Sequence, residues 1–251
     1  MIRFVFPICL FALASPALAM VGNAPVGTSA IARSVVTIVG SRGNFCSGTL
    51  IAPDIVLSAA HCVQPGADYK LVRYDAQRQP QLMTVRRIAI HPQFTMAAIA
   101  QNRASADVAL IQLSEPLDGN PIAVIGSPLE PLVAGRSFSV AGIGVSRNGD
   151  GKSGGVARTA QLVATGQPGR LQIRLVDPAT NNTRDGLGAC TGDSGGPVYE
   201  DRGGSAVIVG VVSWSTGPNN SAGCGGLTGA TPLTLYREWI MQTARGWGGR
   251  M

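Results

Sequence analysis

Short β-rich runs, each broken by glycine or proline, limit what this chain can fold into more than any other feature. Ser34 to Val39 ends in the turn cluster Gly40-Ser41-Arg42-Gly43-Asn44, and Cys46 to Ile51 and Ile55 to Ser58 flank Pro53-Asp54. Val85 to Ile90, Val108 to Leu113, Ser137 to Ile143 and Leu171 to Val176 continue the pattern. Val207 to Val212 is almost wholly apolar, as expected of a strand buried on both sides. With 33 Gly, 16 Pro, 4 Glu and 2 Lys in 251 residues, a helical bundle or coiled coil is excluded. Many short strands with frequent turn signals indicate an all-β chain, built as antiparallel sandwiches or barrels. Four prolines between Pro116 and Pro131 mark a linker between two halves. Asn148 to Gly155 reads as a Gly-rich surface loop, and Tyr236 to Ala244, ended by Gly246, is the best helix candidate.

The first 19 residues read as a secretory signal peptide. Arg3 supplies the positive region, Phe4 to Ala14 the apolar one, and Ala17-Leu18-Ala19 an A-x-A cleavage site, leaving Met20 first. Eleven apolar residues are too few to span a bilayer, and no later run is long enough, so no membrane anchor is expected after processing. Cys9 departs with this segment. Cys46, Cys62, Cys190 and Cys224 remain, an even set that suggests two disulfides in any of three connectivities. No pair has C-x-x-C spacing and His61 and His91 are the only histidines, so neither a metal centre nor another cofactor is expected. The net charge is +6, but the arginines are scattered, with one doublet at Arg86-Arg87, which argues against a nucleic-acid partner.

Three stretches carry chemistry. Leu57-Ser58-Ala59-Ala60-His61-Cys62 places a histidine at a strand end, and Asp107-Val108-Ala109-Leu110-Ile111 an acid at the head of an apolar strand. Gly192-Asp193-Ser194-Gly195-Gly196-Pro197 offers a serine in a glycine-dense loop. Singly, each fits a structural role. Together they supply what acyl transfer needs: a weak nucleophile, a base to take its proton, and a carboxylate to orient that base. Glycines beside the serine free its backbone N–H groups to face a developing oxyanion.

With those motifs in the order His61, Asp107, Ser194, the sequence resembles the trypsin/chymotrypsin family of serine endopeptidases from about Met20 to Gly246. The arginine-over-lysine bias points to a bacterial member, and the signal peptide to a secreted one. The resemblance implies two antiparallel six-stranded β-barrels with a C-terminal helix. The first barrel would span about 20–120, the second about 121–235 and the helix about 236–245. It implies Ser194 as nucleophile, His61 as general base and acid, and Asp107 as the orienting carboxylate supported by the Ser213 hydroxyl. Gly192 and Ser194 N–H groups would form the oxyanion hole. Ser213, Trp214 and Ser215 would pair with an extended substrate, with Gly188 and Ala189 at the base of the specificity pocket and Ser215 and Thr228 as its walls. A pocket without an acid implies uncharged, apolar P1 side chains; Asp185 is the acid whose position could alter that.

The resemblance also chooses the disulfides Cys46–Cys62 and Cys190–Cys224. It further implies that signal removal frees the Met20 α-amino group to pair with Asp193, with no separate zymogen. Ile143, in Ala141-Gly142-Ile143-Gly144, departs from the tryptophan many members carry. The expected partners are protein or peptide substrates and proteinaceous inhibitors, acting on a periplasmic or extracellular monomer. A non-proteolytic binding or adhesion protein on the same scaffold is the competing reading, weakened because all three triad residues are present.

Overall fold

The computed structural model describes residues 20–74, 79–101, 103–126, 133–166 and 170–249. The signal peptide, and the part of the proline linker beyond residue 126, lie outside the described residues. The first six strands are β1 (Val35–Gly40), β2 (Phe45–Ala52), β3 (Ile55–Ser58), β4 (Tyr69–Tyr74), β5 (Pro80–Ile90) and β6 (Ala109–Leu113). They close into an antiparallel barrel in the order β1-β2-β3-β6-β5-β4. Gly43, at φ +83°, makes the tight turn between β1 and β2 that its sequence cluster foretold. Inside lie Ile38, Leu50, Leu57, Leu71, Leu110 and Ile111.

The remaining strands are β7 (Val124–Ile125), β8 (Ser137–Gly142), β9 (Arg158–Ala164), β10 (Ile173–Val176), β11 (Pro197–Arg202), β12 (Ser205–Ser215) and β13 (Thr228–Pro232). Six of them form the second ring, β11-β8-β9-β10-β13-β12, closed by β11–β12, while short β7 runs parallel to β12 outside it. Its core holds Phe138, Val140, Leu162, Leu175, Val209 and Val212.

The apolar run in β12 follows from its place between two cores. Ile208 and Val211 pack with the first cluster, whereas Val207, Val209 and Val212 pack with the second. Solvent meets neither face, so no polar alternation is written into it.

The C-terminal helix covers Arg237–Gly246, with Tyr236 as its N-cap, so it begins one residue later and ends two residues later than Tyr236 to Ala244, with Gly246 as its last residue. Its buried Ile240 and Ala244 cross back to the first core, and Tyr236 and Trp239 pack edge-on against His91 at 4.9 and 5.0 Å. The loop at Asn148–Gly155 is less superficial than its composition implies. Residues Gly151–Ser153 form a 3-10 turn, and buried Ser153 accepts N–H bonds from Ser146 and Arg147. Among the described residues no helix is long and apolar enough to cross a membrane.

Candidate active site

His61 sits in a 3-10 turn, Ala60–Val63, just after β3, and Asp107 lies two residues before β6, the neighbour of β3 in the first barrel. The β3–β6 ladder therefore brings the two together across 46 residues of sequence. His61 Nδ1 lies 2.8 Å from Asp107 Oδ2, and the His61 backbone N–H donates to Oδ1 at 2.9 Å. An ionised carboxylate only accepts, so Nδ1 carries the proton and Nε2 is left as the acceptor. Asp107 is fully buried, and the Ser213 hydroxyl, from β12 of the second barrel, donates to its Oδ2. One carboxylate thus receives three hydrogen bonds from both barrels, which offsets the cost of burying its charge.

Ser194 lies in the loop before β11 and lines one cleft with His61, Gly192 and Ser215. Gly192 and Gly195 adopt φ of +94° and +85°, a region closed to other L-residues without strain. The space demands glycine too: a Cβ at Gly195 would stand 2.1 Å from the Ser47 carbonyl oxygen, and one at Gly192 2.6 Å from the Phe45 ring. Among the described residues the N–H groups of Gly192 and Ser194 donate to no protein acceptor. They are left to a ligand.

Asp193 points the other way. It is fully buried, taking the Gly144 N–H on Oδ1 and the Cys190 N–H on Oδ2, both at 2.8 Å. Burial pushes its carboxyl up to about 7, against the pull of those two N–H groups. Gly142 and Gly144 form its wall: a Cβ on Gly142 would lie 2.1 Å from Asp193 Oδ1. Met20 is also fully buried, and Val21 N–H reaches the Gly188 carbonyl at 3.2 Å. In the 251-residue chain the Met20 nitrogen is the amide of the Ala19–Met20 bond, and among the described residues it shares no bond with Asp193.

Gly188, Ala189, Ser215 and Thr228 do converge. Ser215 and Thr228 are directly paired across β12–β13, and Ala189 N–H donates to Thr228 Oγ1 at 3.0 Å. That same oxygen lies 3.4 Å from where a Gly188 Cβ would be. Trp214 is buried beside them, over a strand kept open by Gly229, whose Cβ would strike its ring at 2.1 Å. Asp185 is exposed and lines a separate hollow with Val21, Gly22 and Asn148. The disulfides are Cys46–Cys62 and Cys190–Cys224, with Cα–Cα distances of 6.1 and 5.0 Å. Cys46, His61 and Cys62 are close enough to hold a metal, but disulfide sulfurs offer no thiolate.

Sequence reasoning missed Ser47. Its hydroxyl donates to the Gly192 carbonyl at 2.8 Å and accepts the Ile143 N–H at 3.0 Å, while its N–H holds the Ser194 carbonyl at 2.8 Å. A serine inside a β-run carries no local signal of such a role. The pinned carbonyl orients the peptide unit that follows Gly192.

Comparisons with known proteins agree with this architecture. Residues 22–240 match the Trypsin family. The chain is similar to snake venom serine protease rhinocerase 4 of Bitis rhinoceros, at 28% identity over 83% of this chain and 81% of that protein. It is also similar to human kallikrein-15, at 30% identity over 81% and 83% of the two chains, and to trypsin of Sus scrofa, at 26% over 82% and 87%. A Trypsin-family match across both barrels, on two rings of six antiparallel strands that meet at one cleft, makes this chain a member of the trypsin-like serine endopeptidases.

Proposed function

We propose that the protein is an exported endopeptidase that hydrolyses peptide bonds through His61, Asp107 and Ser194 by an acyl-enzyme intermediate. The observation that carries this reading is the doubly bonded His61–Asp107 pair opening onto the Ser194 cleft. Ser194 Oγ attacks the scissile carbonyl carbon while its proton passes to His61 Nε2, and the imidazolium is held by Asp107. The Gly192 and Ser194 N–H groups receive the resulting oxyanion. Collapse expels the amine, which takes the proton from His61. Water then repeats the attack on the acyl-Ser194 ester, with His61 again accepting and returning the proton. The substrate's backbone pairs along Ser213–Ser215, at the end of β12 where Ser215 lines the cleft.

The specificity pocket favours uncharged, apolar P1 side chains. Its base is Gly188 backed by the Thr228 hydroxyl, so a buried guanidinium or ammonium would find no counter-charge there. The leader and the two disulfides support export to an oxidising compartment. Removal of residues 1–19 completes activation: the new Met20 ammonium pairs with Asp193, a buried carboxylate with two N–H partners and, among the described residues, no cation. Cleavage-site profiling of the mature protein on a peptide library tests the substrate reading. Cuts after Leu, Phe or Tyr support it, and faster cleavage after Arg overturns it.

A further inference from the structure

The bulkiest fully buried side chain among the described residues is a charged one, Arg158 at the start of β9. A buried guanidinium is costly unless its N–H groups are held. Here Nη1 donates to the Ala24 carbonyl at 2.9 Å, and Ala24 is itself fully buried. Backbone bonds fix the same stretch: Thr159 N–H to the Pro25 carbonyl at 3.1 Å, and Gly27 N–H to the Ala157 carbonyl at 3.0 Å. Four residues upstream of Ala24 stands Met20. Between them the chain turns through Gly22 and Asn23, at φ +82° and +63°, with Gly22 pressed so closely on Gly186 that a Cβ would lie 2.5 Å from its carbonyl oxygen. Across the β8–β9 ladder Arg158 is paired with Gly142, the residue that forms the wall of the Asp193 carboxylate. One rung of the sheet therefore joins the anchor of the N-terminal segment to the wall of the carboxylate that would receive it.

We propose that Arg158 is a positioning residue for the activating terminus: by gripping the Ala24 carbonyl it sets the register in which the Met20 α-amino group meets Asp193. This rests on the activation reading above. Arginine suits the task because its planar fork keeps its charge and fixes direction, and a lysine at that position would hold the carbonyl less rigidly. The other titratable groups around the segment are Asp177, which accepts the Leu187 N–H, and exposed Asp185 beside Val21 and Gly22.

The test compares mature protein beginning at Met20 with its Arg158→Lys and Arg158→Met variants. The readouts are the alkaline limb of kcat/KM, the fraction of sites that give a titration burst at pH 8, and Tm. The wild type should lose activity as pH rises through a terminus pKa above the free value of about 8. Arg158→Met should move that midpoint down by about one pH unit and lower the burst fraction about tenfold, with Arg158→Lys between. A wild-type limb that stays in place in both variants, whatever their Tm, overturns the proposal. Should Arg158→Met not fold, an unmoved limb in Arg158→Lys does the same. Absence of the limb from the wild type, together with full activity in a protein extended before Met20, would show instead that the activation reading has failed.

Discussion

Stability should depend, through Asp193, on where the chain begins. With residue 19 still attached, its carboxylate is buried with no cation among the described residues, and burial pushes its pKa from an ordinary 3.8 up to about 7. The rise from 3.8 to about 7 corresponds to about 4 kcal/mol of penalty once the group ionises. The folded form holds the proton to higher pH than the unfolded chain, so this stability is full below 3.8 and lost as pH rises through about 7. Cleavage before Met20 supplies an ammonium, and the decline should vanish from that window. It should reappear only above about pH 8, as the terminus itself deprotonates. The assay is urea unfolding between pH 4 and 9 of Ser194→Ala protein, which cannot digest itself, in two forms. One begins at Met20 and the other carries a short uncharged extension. The extended form should lose about 3 kcal/mol more than the mature one between pH 4 and 7. Superimposable profiles would refute the reasoning, as would an Asp193→Asn substitution that leaves the decline of the extended form intact.

Other outcomes follow from the same geometry. Gly142→Ala drives a methyl group into the Asp193 carboxylate and should cost about 1–3 kcal/mol by chemical denaturation, with a fall in kcat larger than any rise in KM. Gly188→Asp places an acid at the pocket base and should raise the ratio of cleavage after Arg to cleavage after Leu by about tenfold or more, read from kcat/KM on matched peptides. Replacing Cys46 and Cys62 by serine opens a loop of 16-residue separation and should cost about 3 kcal/mol, measured by urea unfolding. Ser47→Ala should reduce kcat by about tenfold while KM changes little, since it frees the Gly192 carbonyl and not the substrate.

What could be read from sequence was whatever a short window contains. The strands around Val36, Leu50, Leu57, Ile111 and Val140 announce themselves by β-branched runs between turn residues. β13 does not, because Thr228-Gly229-Ala230-Thr231-Pro232 is a poor strand former held in place by its neighbours on both sides. β4, β9 and β11 are equally silent, because charged and small residues, buried Arg158 and Glu200 among them, interrupt the apolar alternation that marks a strand. For the candidate site the contrast is similar. His61, Asp107 and Ser194 stand in recognisable motifs, whereas Ser47 and Arg158 act through partners 145 and 134 residues away. No window of sequence contains such a pair.

The central claim is that Ser194 is a nucleophile activated by His61. Mass-spectrometric mapping after exposure to a serine-directed phosphonyl fluoride tests it most directly, because the reagent bonds only to a serine that an adjacent base has activated. The account predicts one label per molecule, on the peptide containing Ser194, and none in Ser194→Ala or His61→Ala protein that remains folded. A mature protein that cleaves peptides while Ser194 stays unlabelled, or that is labelled equally without His61, would contradict it.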